Sequence, residues 1–237
     1  MSYNPLLADF ENAPFSKIKT EHFKPAIVEA IELAKSEIEE ITNSNAVPNF
    51  ENTIEKLEFT GEKLDRVTSI FFNLNSAETN DELQALAQEI SPLLSEFKND
   101  IILDEVLFHK VKKVYETKEN LSLNKEQETL LEKKYQMFSR NGANLSEEKK
   151  KELREIDKKL SSLSLKFGEN VLAETNKYEM HLTNEDDLEG LPKSVRNAAK
   201  LLAKSKNKEG WIFNLHYPSY VPFMQYAKNR NLRKELA

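Results

Sequence analysis

Glycine is scarce in this sequence, and its scarcity constrains the fold more than any other single feature. Only 5 of the 237 residues are glycine, and none lies between Gly61 and Gly142. Tight turns often require the left-handed backbone conformations that glycine adopts most readily, so a fold of many short hairpins would need it often. The long stretch without glycine therefore predicts long helices joined by few turns.

Apolar residues recur at helical spacing along most of the chain. Ile27, Ile31, Ala34, Ile38 and Ile41 are three or four residues apart, which places them on one face of a helix. Similar stripes run from Phe50 to Phe71, Leu83 to Ile101, Val106 to Val114 and Leu153 to Phe167, and a further helix is predicted from Asn124 to Arg140. Short connections make such helices antiparallel neighbours, which predicts a helical bundle.

Four local features refine these predicted helices. Pro25 suits the first turn of its helix, where a missing amide costs little. Gly61 falls inside the stripe of a helix that starts near Asn49, and close approach of a neighbouring helix would explain it. Thr79 and Glu82 have the spacing of a capping box. Pro92 removes one helical hydrogen bond and should kink or split its helix.

The pattern changes after about residue 176. Two stretches with alternating apolar residues predict short strands, Tyr178 to Leu182 and Trp211 to Leu215. A helix from Lys193 to Lys204 lies between them, and a last helix opens at Pro218 and still continues at Ala237. The predicted fold class is therefore mainly α, with a two-strand element within residues 178–216 and a domain division into 1–176 and 177–237.

Composition excludes several classes of function. The net charge is −6, whereas nucleic-acid binding needs clustered cations; the run Lys149-Lys150-Lys151 is expected to be a solvated helix face. The absence of cysteine excludes disulfides, thiolate metal sites and a cysteine nucleophile. No stretch approaches the ~18 apolar residues of a membrane span, and Met1 to Phe10 lacks the pattern of a signal peptide. The predicted location is the cytoplasm.

No catalytic, cofactor-binding or metal-binding residue can be assigned from the sequence. The histidines are His22, His109, His181 and His216, and none belongs to an H-E-x-x-H pattern. Phosphate-binding glycine loops and a G-x-S-x-G motif are absent. The acidic run at residues 185–187 is expected at a turn or helix entry. Ser219, between Tyr217 and Tyr220, suits the start of a helix better than a peptide-binding groove.

Several short stretches stand out along the chain. They are Phe50 to Glu55 with Leu57 and Gly61, Phe71 to Leu74, Ser91 to Leu94, Asn141 to Leu145, Phe167 to Asn170, Gly190 to Pro192, Pro218 to Tyr220 with Pro222 and Phe223, Asn229 with Arg230, and Leu232 with Arg233. In this order they resemble the thimet-oligopeptidase-like zinc metallopeptidases. Residues 67–75, 80–82 and 172–176 are most similar to bacterial peptidyl-dipeptidases. Each stretch alone is a weak signal, but their order extends over essentially the whole chain.

The resemblance implies a parent enzyme that is mostly helical and encloses a deep channel, which admits only short unstructured peptides. In this family two histidines of an H-E-x-x-H helix and a later glutamate hold zinc, and the glutamate of the motif activates the zinc-bound water. Those residues are expected beyond Ala237. This chain would then be the amino-terminal channel wall, would bind no zinc itself, and would be inactive without the catalytic half. The alternative is a self-standing helical interaction module without catalysis.

Overall fold

The long helices expected from the sequence are present in the computed structural model, which describes residues 3–237. The predicted fold class, mainly helical with one small two-strand sheet, is confirmed. Residues 1 and 2, the start of the predicted domain 1–176 and of the Met1 to Phe10 stretch, lie outside the described residues. The helices are α1 (Thr20–Thr42), α2 (Lys56–Phe59), α3 (Glu62–Ala77), α4 (Asp81–Ile102), α5 (Glu105–Glu116), α6 (Lys125–Arg140), α7 (Glu147–Lys177), α8 (Lys193–Ser205), α9 (Tyr217–Tyr226) and α10 (Arg230–Leu236).

Shorter elements complete the secondary structure. Strands β1 (Met180–Leu182) and β2 (Trp211–Phe213) pair in antiparallel register, with Met180 opposite Phe213. A π-helical segment, Phe50–Glu55, precedes α2. Short 3-10 turns lie at Phe15–Lys17, Lys118–Asn120 and Glu185–Leu188.

The chain forms two compact units, one ending at Leu165 and the other comprising Lys166–Ala237. The first unit has two apolar cores that share α1. One core joins α1 to α3 and α4, where the rings of Phe23 and Phe71 are 5.1 Å apart. The other joins the end of α1 to α5 and α6 and includes Ile54 and Phe138. The domain division predicted at residues 176 and 177 stays a prediction.

The second unit has its own core, built on the strand pair. The ring of Phe213 in β2 packs edge-on against Phe223 in α9, with 4.6 Å between the ring centroids. Met180 and Leu188 are buried in the same core. The single long helix predicted from Pro218 to Ala237 is wrong, because it divides into α9 and α10. The Asn229 side chain accepts a 3.0 Å hydrogen bond from the Asn231 amide and starts α10 anew.

Gly61 has a different role from the one expected. The helix predicted through it is interrupted, and Gly61 lies between α2 and α3 with a φ of 83°. A Cβ atom there would lie 3.8 Å from Ala34 Cβ, an ordinary contact, so close helix approach does not explain the glycine. The left-handed conformation does. The Gly61 amide also donates a 2.8 Å hydrogen bond to Glu37 Oε2.

The structure corrects three other local predictions, one about a helix start and two about prolines. Asn80, and not Thr79, caps α4, since its side chain accepts a 2.9 Å hydrogen bond from the Leu83 amide. Pro92 does not split α4, which runs unbroken from Asp81 to Ile102. Pro25 is the sixth residue of α1 and lies beyond its first turn, because α1 begins at Thr20.

The apolar stripe of α7 is present as predicted, but it does not pack into the bundle. Leu153 is half-buried. The exposed fractions of Ile156, Leu160, Leu163 and Phe167 are 53%, 54%, 61% and 72%. The spacing of these residues correctly predicted a helix, and four of the five are exposed in this chain.

Candidate functional site

An open cleft in the first unit is the candidate functional site. Its volume is about 900 Å³, and its walls come from α3, α4, the end of α6, the turn that follows, and the first half of α7. All of these residues belong to the unit that ends at Leu165. The cleft therefore depends on where the first half of α7 lies relative to α3, α4 and α6.

The turn at Asn141–Leu145 sets the direction in which α7 starts. The Ala143 amide donates a 3.2 Å hydrogen bond to the Phe138 carbonyl, and the Ala143 side chain is buried in the second core. The Asn141 side-chain amide donates a 2.6 Å hydrogen bond to the Met137 carbonyl. These bonds satisfy carbonyl groups in the last turn of α6 and join the turn to that helix.

Ion pairs then attach the first turns of α7 to the bundle. Buried Lys150 lies between two carboxylates, with its Nζ 3.1 Å from Glu105 Oε1 and 2.9 Å from Glu147 Oε1. Arg154 Nη1 lies 2.7 Å from Asp100 Oδ1. The expectation that residues 149–151 form a solvated face is therefore wrong for Lys150, although Lys149 and Lys151 are exposed.

The lining of the cleft combines apolar surface with neutral hydrogen-bonding groups. Hydroxyl and side-chain amide groups can both donate and accept hydrogen bonds, as a peptide backbone requires. Anionic phosphate would instead need several clustered cations. The serines are Ser91, Ser95, Ser139, Ser161 and Ser164, the asparagines Asn99, Asn141 and Asn144, the large apolar residues Phe72, Leu94, Ile102, Leu145, Leu153 and Leu165, and the charged residues Lys98, Arg140 and Asp157.

Three of the stretches that carry the family resemblance meet at this cleft. Phe72 comes from Phe71 to Leu74, Ser91 and Leu94 come from Ser91 to Leu94, and the turn Asn141–Leu145 supplies four lining residues. Other stretches lie elsewhere: Phe50–Glu55 packs into the second core, and Gly190 to Pro192 belongs to the second unit. The sequence indicated these stretches individually but gave no sign that three of them share one surface.

The histidines have structural roles or are exposed, and none lines the cleft. His22 Nδ1 accepts a 3.1 Å hydrogen bond from the Lys19 amide at the start of α1. His181 Nε2 lies 2.6 Å from the Glu209 carbonyl, and His216 precedes α9. His109 is exposed on α5. Within residues 3–237 there is no group of three or more histidine, aspartate or glutamate side chains that could hold a metal ion.

The other polar residues considered from the sequence also have local partners. Ser219 Oγ accepts a 3.0 Å hydrogen bond from the Asn214 amide and so joins the end of β2 to α9. Asp187, in the acidic run, accepts a 3.1 Å hydrogen bond from the Asn229 side chain. Both side chains thus make structural hydrogen bonds within the second unit.

Comparison with known protein families gives a direct match. The family model described as Neurolysin/Thimet oligopeptidase, N-terminal domain, matches residues 27–150, which is more than half of the chain. This range includes α3, α4 and the turn that lines the cleft. The chain therefore belongs to the neurolysin/thimet oligopeptidase family and is its amino-terminal part. The family expected from the resemblance is confirmed.

Curated relatives extend the similarity to nearly all of the chain. Oligopeptidase A of Haemophilus influenzae is 36% identical over 235 residues, covering 98% of this chain and 34% of the relative. Dipeptidyl carboxypeptidase of Salmonella typhimurium is 34% identical over 241 residues, covering 100% of this chain and 35% of the relative. The two identities are so close that they do not separate the two kinds of peptidase.

The chain spans about a third of the length of the curated relatives it matches. A third relative, a probable cytosolic oligopeptidase A of Arabidopsis thaliana, is 30% identical over 243 residues, with 100% of this chain and 34% of the relative covered. In the part of the chain that the structure describes, no helix is long and apolar enough to cross a membrane.

Proposed function

We propose that this chain is the non-catalytic amino-terminal part of a zinc peptidase that cleaves short peptides, and that its cleft forms part of the wall along which the peptide lies. The convergence of three family stretches on one cleft carries this proposal. The relatives are named as an oligopeptidase and a dipeptidyl carboxypeptidase, which supports peptides as the substrate class. The cytoplasm remains the expected location.

Zinc would be held by residues outside this chain. The described residues include no donor set that fits a metal ion, so no catalytic step is assigned to them. Their contribution is to bind peptides of suitable shape and to exclude others. A wall of hydroxyl and amide groups can hydrogen-bond an extended peptide in several registers, while its apolar parts contact side chains. Such a wall selects peptides by shape and does not break a bond.

The test compares this chain with its full-length parent. Metal analysis should find about one zinc per parent molecule and none in the 237-residue chain. A quenched fluorescent peptide should be cleaved by the parent only. Stoichiometric zinc or peptide cleavage in the short chain would contradict the proposal, as would a parent that has neither property.

The alternative is a self-standing helical interaction module without catalysis, and the exposed apolar residues of α7 are compatible with both candidates. Such a module would need no zinc-binding region in the parent. The sequence beyond residue 237 distinguishes the two candidates, because an H-E-x-x-H helix is required only by the peptidase.

A further inference from the structure

A second depression adjoins the cleft, in the groove between α3 and α4. Its volume is about 510 Å³, and its lining begins at the turn of Thr60 and Gly61 and continues along the facing sides of the two helices. We call it the α3–α4 pocket. Phe72, Leu94 and Lys98 line both the pocket and the cleft, so the two are continuous. A peptide that lies along the cleft can therefore place one side chain in this pocket.

Part of the pocket wall is apolar, and both helices contribute to it. Leu64 and Phe97 are buried, whereas Phe72 and Leu94 are half-buried and face the space that the pocket shares with the cleft. Such a wall suits a long side chain with a methylene stem. Lysine and arginine pack their stems along apolar surface and keep the charged end in a polar environment.

The threonine hydroxyl groups of the pocket can offer a ligand only acceptor capacity. Thr60 Oγ1 donates its hydrogen to the Lys56 carbonyl at 3.0 Å, and Thr68 Oγ1 donates to the Leu64 carbonyl at 2.8 Å. A hydroxyl group has one hydrogen to donate and two lone pairs that accept. Because both hydrogens are already bonded to the chain's own backbone, a ligand meets two oxygen acceptors. Ser69 adds a third hydroxyl group to the lining.

Asp65 adds a carboxylate to these acceptors. Within residues 3–237 its side chain forms no salt bridge, and the Lys134 ammonium group, which lowers its pKa, is bound 2.7 Å from Glu58 Oε2. The residue as a whole is exposed, yet partial burial of its carboxylate has the larger effect and raises its pKa. A carboxylate in this state gains from the approach of a cation.

Among the described residues, Lys98 is the only cation that lines the pocket. It also lines the cleft, which places it where the two spaces join. Lys98 is exposed and forms no salt bridge with Asp65 or with any other described residue. The acceptors of the pocket are thus not neutralised by a cation of the chain itself.

We propose that the α3–α4 pocket is a specificity subsite for a lysine or arginine side chain of the peptide, whose charged end binds Asp65 and the threonine hydroxyl oxygens. This inference rests on the proposed function, since it requires a peptide in the cleft. An ammonium group has three donors, a guanidinium group has five, and neither accepts, which matches a pocket of acceptors. A carboxylate side chain would instead meet the like charge of Asp65.

Pairs of short quenched fluorescent peptides test this in the full-length parent. The two peptides of a pair carry lysine or norleucine at the same position, and that position moves along the peptide from one pair to the next. Norleucine keeps the methylene stem and lacks the ammonium group. Asp65→Asn removes the carboxylate charge. Glu62→Gln is the matched control, because Glu62 is also acidic and in the first turn of α3 but does not line the pocket.

At one position the wild-type parent should cleave the lysine peptide with a kcat/KM at least about fivefold above that of its norleucine partner. Asp65→Asn should bring this ratio to within about twofold of unity, mainly through KM, and Glu62→Gln should leave it unchanged. Asp65→Glu restores the charge and should retain more of the preference than Asp65→Asn.

Two results would overturn the inference: no position with a preference for lysine, or a preference that is the same in wild type and Asp65→Asn. A parent that cleaves every peptide equally well refutes only the subsite. A parent without zinc or activity refutes the proposed function, and the subsite falls with it.

Discussion

At the scale of single residues, Lys150 joins the first turn of α7 to Glu105 of α5. Its side chain is buried, and two carboxylates at about 3 Å hold its ammonium group. Burial opposes the charge, but the hydrogen bonds to Glu147 and Glu105 outweigh it and raise the pKa of Lys150. The hydrogen bond from Lys150 likewise lowers the pKa of Glu147 below its ordinary value of 4.5.

The sign of the resulting pH dependence follows from that lowered pKa. A carboxylate with a lower pKa in the folded state contributes stability above its ordinary pKa, and the contribution is lost as pH falls through the folded value. Glu147→Gln should therefore lower the Tm at pH 7, and its difference from wild type should shrink below about pH 4.5. Thermal unfolding followed by circular dichroism measures this, with Glu148→Gln as the exposed control. A difference that persists unchanged to pH 3 would contradict the assignment.

Two glycines of the second unit differ in backbone conformation and in the space that a side chain would have. Gly190 has a φ of 92°, and a Cβ there would lie 2.1 Å from the Tyr226 carbonyl oxygen. Gly168 is helical, and a Cβ there would meet nothing within 4 Å. Gly190→Ala should cost about 3 kcal/mol of unfolding free energy, while Gly168→Ala should add up to about 1 kcal/mol. Urea unfolding followed by the single tryptophan, Trp211, reports on this unit. Equal effects of the two changes would show that backbone conformation at Gly190 does not matter.

At the scale of elements, α7 can be compared with a helix whose apolar face is packed. Leu160→Glu with Leu163→Glu changes two residues that are 54% and 61% exposed, so the unfolding free energy of this chain should change by less than about 0.5 kcal/mol. Phe71→Ala, at a residue that is fully buried in α3, should cost about 3–5 kcal/mol. Urea unfolding followed by circular dichroism measures both. A large loss from the α7 double substitution would mean that the stripe is already covered within this chain.

The sequence predicted the elements well where one physical signal dominated. The stripe from Ile27 to Ile41 is buried throughout, and the helix predicted from Asn124 to Arg140 is α6, Lys125–Arg140. Errors occurred where two signals competed at one position. At Gly61 the apolar spacing favoured a continuous helix, but the left-handed backbone interrupts it. At Asn229 a side-chain cap restarts a helix that apolar spacing alone would continue.

The cleft was less predictable than the elements. Each of its walls follows from a helix or a turn that the sequence indicated, but the cleft itself depends on tertiary contacts between distant residues. Arg154 and Asp100 are 54 positions apart, and no local pattern relates them. The exposed stripe of α7 was missed for a related reason: periodicity identifies an apolar face but does not reveal whether the same chain covers it.

At the scale of the whole molecule, the cleft belongs to one compact unit, and four helices and one turn form its walls. If a peptide lies along these walls, a change to a lining residue should be measured in substrate binding. In a static wall, an altered lining residue should weaken the binding of substrate and transition state together, which raises KM and leaves kcat nearly constant.

Ser95→Arg in the full-length parent tests that expectation. Ser95 lines the cleft from α4, where an arginine side chain would occupy space and add positive charge. KM for a short peptide should rise about tenfold, which corresponds to ~1.4 kcal/mol, with kcat within about twofold of wild type. Ser16→Arg, at an exposed position outside the cleft, is the control and should leave both constants unchanged. If Ser95→Arg retains wild-type kinetics and wild-type stability, the peptide does not lie in this cleft. A fall in kcat without a change in KM would instead indicate that the cleft acts on the catalytic step from a distance, so that it is not a binding wall.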